Sequence, residues 1–300
     1  ISGLYTGNQI FIRPSTKTPS IPFTFVNILL ECGLKDTLVH FIPVNKDDFE
    51  KTLVNLNIEY VLSFGSTSVN KQIAKVCIEN NIDYSIENDG NDWIFIDDGT
   101  ETSLAELASL LAKSLTKHNG QMCDTPRAIF LTEINYSNFC NSLRSELESI
   151  KKGDPFDLNT EFGNLLIGTD EALNRIYDTE KNTETVNNFL IVKSNQATDF
   201  IDIERPKFVP HIYITKVKDV DDFLSFCDSH NKYGLGFTIF SSNKKYIETI
   251  KDRIKVGRIN INKDPVDINY DSPWGGVSLS GNGGAIDWID RFVNRRYINE

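Results

Sequence analysis

The chain has 300 residues, 40% of them apolar and 24% charged, with a formal net charge of -11. That length and apolar share support one large or two moderate packed domains and exclude wholesale disorder. No lysine- or arginine-rich run offers an electrostatic footprint for nucleic acid or acidic lipid, and no apolar stretch reaches the ~18 residues of a membrane span, so neither partner is expected.

The predicted elements alternate from the start. QIFIR predicts a strand, PFTFVNILLECG a helix stopped at Gly33, VHFIP a strand, DDFEKTLVNL a helix and YVLSF a strand. STSVNKQIAKVCIENN follows as a helix capped by Ser66 or Thr67, and DYSIE as a strand ending at Glu87. Strict alternation implies parallel pairing with right-handed crossovers, hence an open α/β sheet. A second α/β unit begins with a strand at 93–96 and an amphipathic helix over 103–118, with Leu104, Ala108, Leu111 and Leu115 on one face. A strand at 127–131, a helix at 137–150 and a loop at 151–166 punctuated by Gly153, Pro155 and Gly163 come next. Helices are expected at 169–177, 220–230 and 244–254, and strands at 189–192, 211–214, 236–240 and 258–262. The last landmark is the glycine-rich SPWGGVSLSGNGG. The fold class is therefore α/β, with two open, mostly parallel units. Ligands of such sheets collect beyond the carboxyl ends of strands, which places the expected cleft near residues 87–91, where the units meet.

Five cysteines, Cys32, Cys77, Cys123, Cys140 and Cys227, form no paired spacing and read as reduced thiols in a cytoplasmic setting. No C-x-x-C or H-E-x-x-H occurs and the four histidines are scattered, so no metal is expected. The chain starts at Ile1, and its only methionine is Met122, so it reads as a piece of a longer protein.

Four of the thiols lie in apolar or helical settings and are expected to be small buried hydrophobes. Cys123 alone lies in a polar, glycine-containing loop, HNGQMCDTPR. A thiolate attacks carbonyl carbon well, and its pKa falls beside a helix amino terminus or another positive charge. Glu87, at the end of a buried strand, is expected to have a raised pKa suited to a general base. In SFGSTSVNKQ, Gly65 allows a tight turn after a strand and Ser66 opens a helix whose free N–H groups suit a pyrophosphate; an ordinary serine-capped junction reads the same way. RPSTKTP places Arg13, Lys17, Ser15 and Thr16 after the first strand, suiting a sugar or phosphate, or simply an exposed turn.

Eight stretches, in order, resemble the motifs of the aldehyde dehydrogenase superfamily. TGNQIFIRPSTKTP is similar to A-G-N-x-x-x-x-K-P-S-E-x-x-P, SFGSTSVNKQI to F-T-G-S-T-x-V-G-x-x-I, SIENDGND to L-E-L-G-G-K-x-P and NGQMC to x-G-Q-x-C. KKGDPFDLNTEFGNLL, KYGLGFTIFS, RININ and SPWGGVSLSGNGG continue the series to the carboxyl end. The resemblance implies an incomplete Rossmann-like cofactor domain (1–87), a catalytic domain (88–276) and a tail (277–300) that serves as an oligomerisation segment, as a strand or as an amphipathic helix. It implies NAD- or NADP-dependent oxidation of an aldehyde to a carboxylic acid, by a homo-oligomer or by a chain that needs the missing amino-terminal segment. Cys123 would form a thiohemiacetal and then an acyl-thioester, and Glu87 would activate the water that releases the acid. Gly65 and Ser66 would face the cofactor pyrophosphate, Arg13, Ser15 and Thr16 the adenosine ribose, and Phe208, in KFVP, matches the phenylalanine of E-E-x-F-G-P. GQMCDTP is similar to the phenylacetate-degradation branch.

The departures are specific. Arg13 replaces a lysine, and Thr16 an acidic residue whose absence beside two cations leaves NADP open. RPKFVP lacks the glutamate that holds the nicotinamide ribose, with Glu204 out of register, and Asp89 replaces the first of two paired glycines. The segment ahead of A-G-N, with the P-W-N asparagine that donates to the oxyanion, lies outside this sequence. Two other readings remain, a non-catalytic relative and a CoA-acylating dehydrogenase; Glu87 argues against the second, because a thiol acceptor needs no water-activating base.

Overall fold

The computed structural model describes residues 1–45, 47–166, 168–267, 269 and 271–294. A short helix α1 (Ser2–Tyr5) precedes β1 (Ile10–Ile12), α2 (Ser20–Glu31), β2 (Val39–Phe41), α3 (Phe49–Asn55), β3 (Tyr60–Phe64), α4 (Thr67–Glu79) and β4 (Asp83–Glu87). Next come β5 (Asp92–Ile96), α5 (Leu104–Thr116), β6 (Pro126–Thr132), α6 (Tyr136–Ser149), α7 (Thr169–Thr179), β7 (Thr183–Val186) and β8 (Phe189–Ser194). The remainder comprises β9 (His211–Val217), α8 (Val220–His230), β10 (Tyr233–Gly234), β11 (Gly236–Phe240), α9 (Lys244–Arg253), β12 (Arg258–Ile261) and β13 (Val277–Ser278). This is the mostly parallel α/β architecture expected from the alternation.

The continuous apolar runs explain the main sheet. Every residue of β5, β6 and β11 is buried, as strands covered on both faces require. They lie inside a seven-stranded sheet of order β12-β11-β5-β6-β9-β8-β7. Trp93, Phe95, Phe130 and Tyr213 face one layer with Phe223 and Leu224 of α8; Ile94, Ile129 and Ile214 face the other with Leu111 of α5 and Phe139 of α6. All pairings are parallel except β7 with β8. That hairpin, absent from the sequence expectation, turns through Asn187 and Asn188 at φ 52° and 67°. Asparagine tolerates this left-handed geometry, which matches the twist of the flanking strands.

The amino-terminal unit is more open. Among the described residues β1 pairs only with β2, and β3 only with β4, as two separate parallel pairs. A cavity of about 1130 Å³ takes residues of β1 and β3 into its wall, with Arg13, Ser15, Thr16, Trp288 and Arg291.

Three expectations need correcting. The helix predicted over 103–118 stops at Thr116, because His118 and Asn119 turn left-handed at φ 49° and 58°. Of the four thiols expected to be buried, Cys77 and Cys227 are, whereas Cys140 is half-buried and Cys32 is exposed just past the end of α2. The amphipathic helix offered for the tail does not form among the described residues: Ile286 bridges to Trp274, and only a 3-10 turn, Asp290–Phe292, follows. Residues 295–300 of that tail lie outside the described residues. No helix among the described residues is long and apolar enough to cross a membrane.

Candidate active site

The turn after α5 delivers Cys123. Left-handed His118 and Asn119 are followed by Gly120 at φ 66°, where an added Cβ would meet the Leu115 carbonyl at 2.9 Å. Amide side chains then fasten the loop to its neighbours. The Gly163 N–H donates to Asn119 Oδ1 at 2.8 Å, and Gln121 Nε2 donates to Thr169 Oγ1 at 3.0 Å and to the Phe208 carbonyl at 3.1 Å. Beneath the loop, Arg127 Nη1 donates to the carbonyls of Gly120 (3.1 Å) and Val209 (3.0 Å), and Nη2 to that of Met122 (3.0 Å). Arg127 is the second residue of β6 and is almost fully buried, so these carbonyls replace water around its charge. Burial pulls its pKa down to about 10, against the attraction of Asp92, Cys123 and Asp124.

A reactive thiol is favoured by positive charge that lowers its pKa. Burial, followed by the nearby carboxylates of Asp124 and Asp92, instead pushes the pKa of Cys123 up to about 12. Hydrogen bonds from the Asp124 and Cys123 N–H groups to the sulfur oppose the rise and lose to it. Asp124 is fully buried and pairs with Arg258 Nη2 at 3.3 Å. Asp92 accepts from the Gly236 N–H at 2.9 Å, and burial raises its pKa to about 7. At neutral pH the sulfur is therefore a thiol.

Glu87 ends β4, as expected, and is buried at 4% exposure. Its Oε1 accepts from Arg291 Nη2 at 2.8 Å and its Oε2 from the Gly276 N–H at 3.1 Å. Burial raises its pKa, outweighing Arg291 and the Gly276 bond. Backbone bonds fix the strand end: the Gly65 N–H donates to the Glu87 carbonyl at 3.1 Å, and Asn70 Nδ2 donates to the same carbonyl at 2.9 Å. Three residues on, Gly90 packs against the thiol loop so closely that a Cβ there would lie 2.1 Å from the Cys123 carbonyl oxygen. The segment carrying Glu87 and the loop carrying Cys123 thus meet through backbone that only glycine permits.

The residues assigned to a dinucleotide fall into separate places. Arg13, Ser15 and Thr16 are exposed and line the amino-terminal cavity; Arg13 Nε donates to the Val44 carbonyl at 3.2 Å. Ser66 caps α4, its Oγ accepting from the Val69 N–H at 3.4 Å. Phe208, 39% exposed, lies against the Cys123 loop through its bond to Gln121. Gly65, Ser66 and Phe208 are not in the cavity wall.

The Asp89 carboxylate, standing where the family motif has glycine, turns to the amino terminus of α4. Its Oδ2 accepts from the backbone N–H and the hydroxyl of Thr67, both at 2.7 Å, at the first turn of α4. Sequence reasoning also missed Arg127, Arg258, Asn70 and Arg291. A buried arginine near the start of an apolar strand is a usable signal for Arg127; Arg291 lies 204 residues from its partner and gives none. Among the described residues, no group of three or more His, Cys, Asp or Glu side chains is arranged to hold a metal.

The model of the aldehyde dehydrogenase family matches residues 1–181 and 190–297. The chain is 24% identical, over 334 aligned positions, to a 1-pyrroline-5-carboxylate dehydrogenase of Geobacillus sp. (strain WCH70), covering 100% of this chain and 62% of that protein. Among solved structures it is similar to the gamma-glutamyl-gamma-aminobutyraldehyde dehydrogenase from Burkholderia cenocepacia J2315. The TM-score is 0.88 at 18% identity, covering 97% of this chain and 62% of the other. A 3,6-anhydro-L-galactose dehydrogenase in complex with NAP gives a TM-score of 0.87 at 18% identity, covering 97% of this chain and 64% of the other. The chain therefore spans less than two thirds of the length of these proteins, and at such identities the structural likeness establishes the fold.

Proposed function

The chain belongs to the aldehyde dehydrogenase family, and on that premise we propose that it carries the nucleophile and the general base for NAD(P)-dependent oxidation of an aldehyde to a carboxylic acid. The observation that supports this most is the backbone contact at Gly90, which holds the Glu87 segment against the Cys123 loop.

Cys123 attacks the aldehyde carbon. Its raised pKa means that the sulfur gives up its proton to solvent as the carbon–sulfur bond forms, rather than resting as a thiolate. Backbone N–H groups near the cysteine hold the thiohemiacetal oxygen. Nicotinamide, when bound, supplies the hydride acceptor that this oxidation requires. Glu87 then takes a proton from the water that cleaves the acyl-thioester, releasing the acid and restoring the thiol. Its two hydrogen bonds use two of the about four lone-pair sites of a carboxylate. Burial raises its pKa toward the range where a carboxylate works as a base.

The dinucleotide fits one part of the chain and meets a competitor in another. Arg13, Ser15 and Thr16 offer a cation and hydroxyls in an open cavity. At α4, Asp89 already sits on the donors that a pyrophosphate would use. That second fact favours the alternative of a non-catalytic relative. We infer a homo-oligomer from the family, with the aldehyde as its small-molecule partner.

The test is to assay the full-length protein with an aldehyde panel, NAD⁺ and NADP⁺, with and without CoA. NADH or NADPH formation without CoA that disappears in Cys123→Ser supports the reading. Formation only with CoA identifies an acylating enzyme, and no turnover with wild-type binding of neither cofactor identifies the non-catalytic relative.

A further inference from the structure

We infer that Asp89 is an intramolecular occupant of the anion position at the amino terminus of α4, so that a dinucleotide pyrophosphate enters only by displacing its carboxylate. This rests on the NAD(P) reading above and goes beyond it, because it assigns to one residue of this chain control over cofactor affinity.

The helix has 13 residues, enough for its positive amino-terminal end to favour an anion. Asp89 supplies that anion with two charge-assisted bonds of 2.7 Å to a single oxygen, from the N–H and the hydroxyl of Thr67. The neighbouring donors are also engaged, the Val69 N–H with Ser66 Oγ and the Asn70 N–H with the Ser66 carbonyl. The Tyr233 hydroxyl faces the same pair and hydrogen-bonds Thr67. A phosphate arriving here meets the Thr67, Val69 and Asn70 donors already engaged and a like charge among them.

The backbone under Asp89 is pinned on both sides. The Asn88 N–H donates to the Ser280 carbonyl at 2.8 Å, Asn70 Nδ2 donates to Asn88 Oδ1 at 2.8 Å, and Ser280 Oγ donates to the Asp89 carbonyl at 2.8 Å. Gly90 is wedged against the Cys123 carbonyl. The segment therefore cannot slide away as a unit, and only rotation of the Asp89 side chain clears the position. Where the family motif has glycine, this chain has a carboxylate that competes with the ligand for Thr67.

The experiment is calorimetric titration of the full chain with NAD⁺, NADP⁺ and ADP, comparing wild type with Asp89→Asn and Asp89→Gly. Asp89→Asn keeps an acceptor for Thr67 and removes only the charge, so it preserves the cap if Asp89→Gly destabilises the chain. The inference expects both dinucleotides and ADP to bind at least tenfold more tightly to Asp89→Asn. Measurable wild-type binding that is unchanged or weaker in Asp89→Asn overturns the role of Asp89 and leaves the dinucleotide reading standing. Failure of every ligand to bind either variant overturns the dinucleotide reading and this inference with it.

Discussion

Cys123 is chemically distinctive within its own sequence, since it alone among five thiols sits in a polar glycine loop. What the loop does to the sulfur depends on Asp92, which the chain places 31 positions earlier, and on Asp124, whose carboxylate shares the buried space beside the sulfur. A nearby like charge shifts a pKa by roughly one unit or more. Replacing Asp124 with asparagine removes one such charge without changing the shape. The alkylation rate of Cys123 by iodoacetamide, followed by mass spectrometry between pH 7 and 10, is expected to rise about tenfold at pH 8.5, because one unit of thiolate pKa is a tenfold change in thiolate population. The direction follows from the sign of the effect: the Asp124 carboxylate disfavours a second negative charge on sulfur, so its removal moves the rate profile to lower pH. An unchanged profile would show that Asp124 does not set the field at the sulfur. At this scale the sequence singled out one thiol by its polar loop and one glutamate by its place at a strand end. It left hidden the buried ionic surroundings, because charge neighbours in a folded interior are seldom neighbours in sequence.

Among the elements, α5 is the most legible. Ser103 and Glu106 form a reciprocal cap: Ser103 Oγ accepts from the Glu106 N–H at 3.3 Å, and the Glu106 carboxylate accepts from the Ser103 N–H at 3.0 Å. Leu107, Leu111 and Leu115 then bury one face against the sheet. Ser103→Ala is expected to cost about 1 kcal/mol of stability, the usual loss for a serine cap, read as a lower urea midpoint with an unchanged slope. A loss below a few tenths of a kcal/mol would mean that packing alone fixes the start of the helix. The end of α5 was misplaced by two residues, because Lys117 and His118 continue the helical composition while the backbone turns left-handed at His118. The β7–β8 hairpin escaped notice for a related reason: Thr183–Val186 is short and polar, and its turn is Asn-Asn rather than Asn-Gly.

Across the whole molecule, burial is uneven. The seven-stranded sheet carries apolar layers on both faces, whereas the amino-terminal unit gathers Leu53, Val61, Cys77 and Ile82 into a small cluster and leaves Ile21, Ile28 and Phe64 at least half exposed. Among the described residues β1, β2 and β3 each pair with one strand, whereas the outer edge of β4 is covered at Ile86 and Glu87 by residues 281–282. Local opening takes less free energy where fewer apolar contacts are lost. Amide exchange in β1, β2 and β3 is therefore expected to run at least tenfold faster than in β5, β6 and β9, measured by mass spectrometry under native conditions. Equal protection across both units would overturn this ranking.

The sequence by itself determined the α/β alternation, the order of motifs and the singling out of Cys123 and Glu87. These are local signals: periodicity follows from which face of an element is buried, and a motif fixes backbone within a few residues. Only the tertiary structure decided that Arg291 holds Glu87, that Asp89 rests on Thr67, and that burial with Asp124 and Asp92 raises the pKa of Cys123. Each of these is an interaction through space between charges or dipoles brought together by sheet register and burial. Its strength depends on water excluded by residues far along the chain, which no short stretch of sequence records.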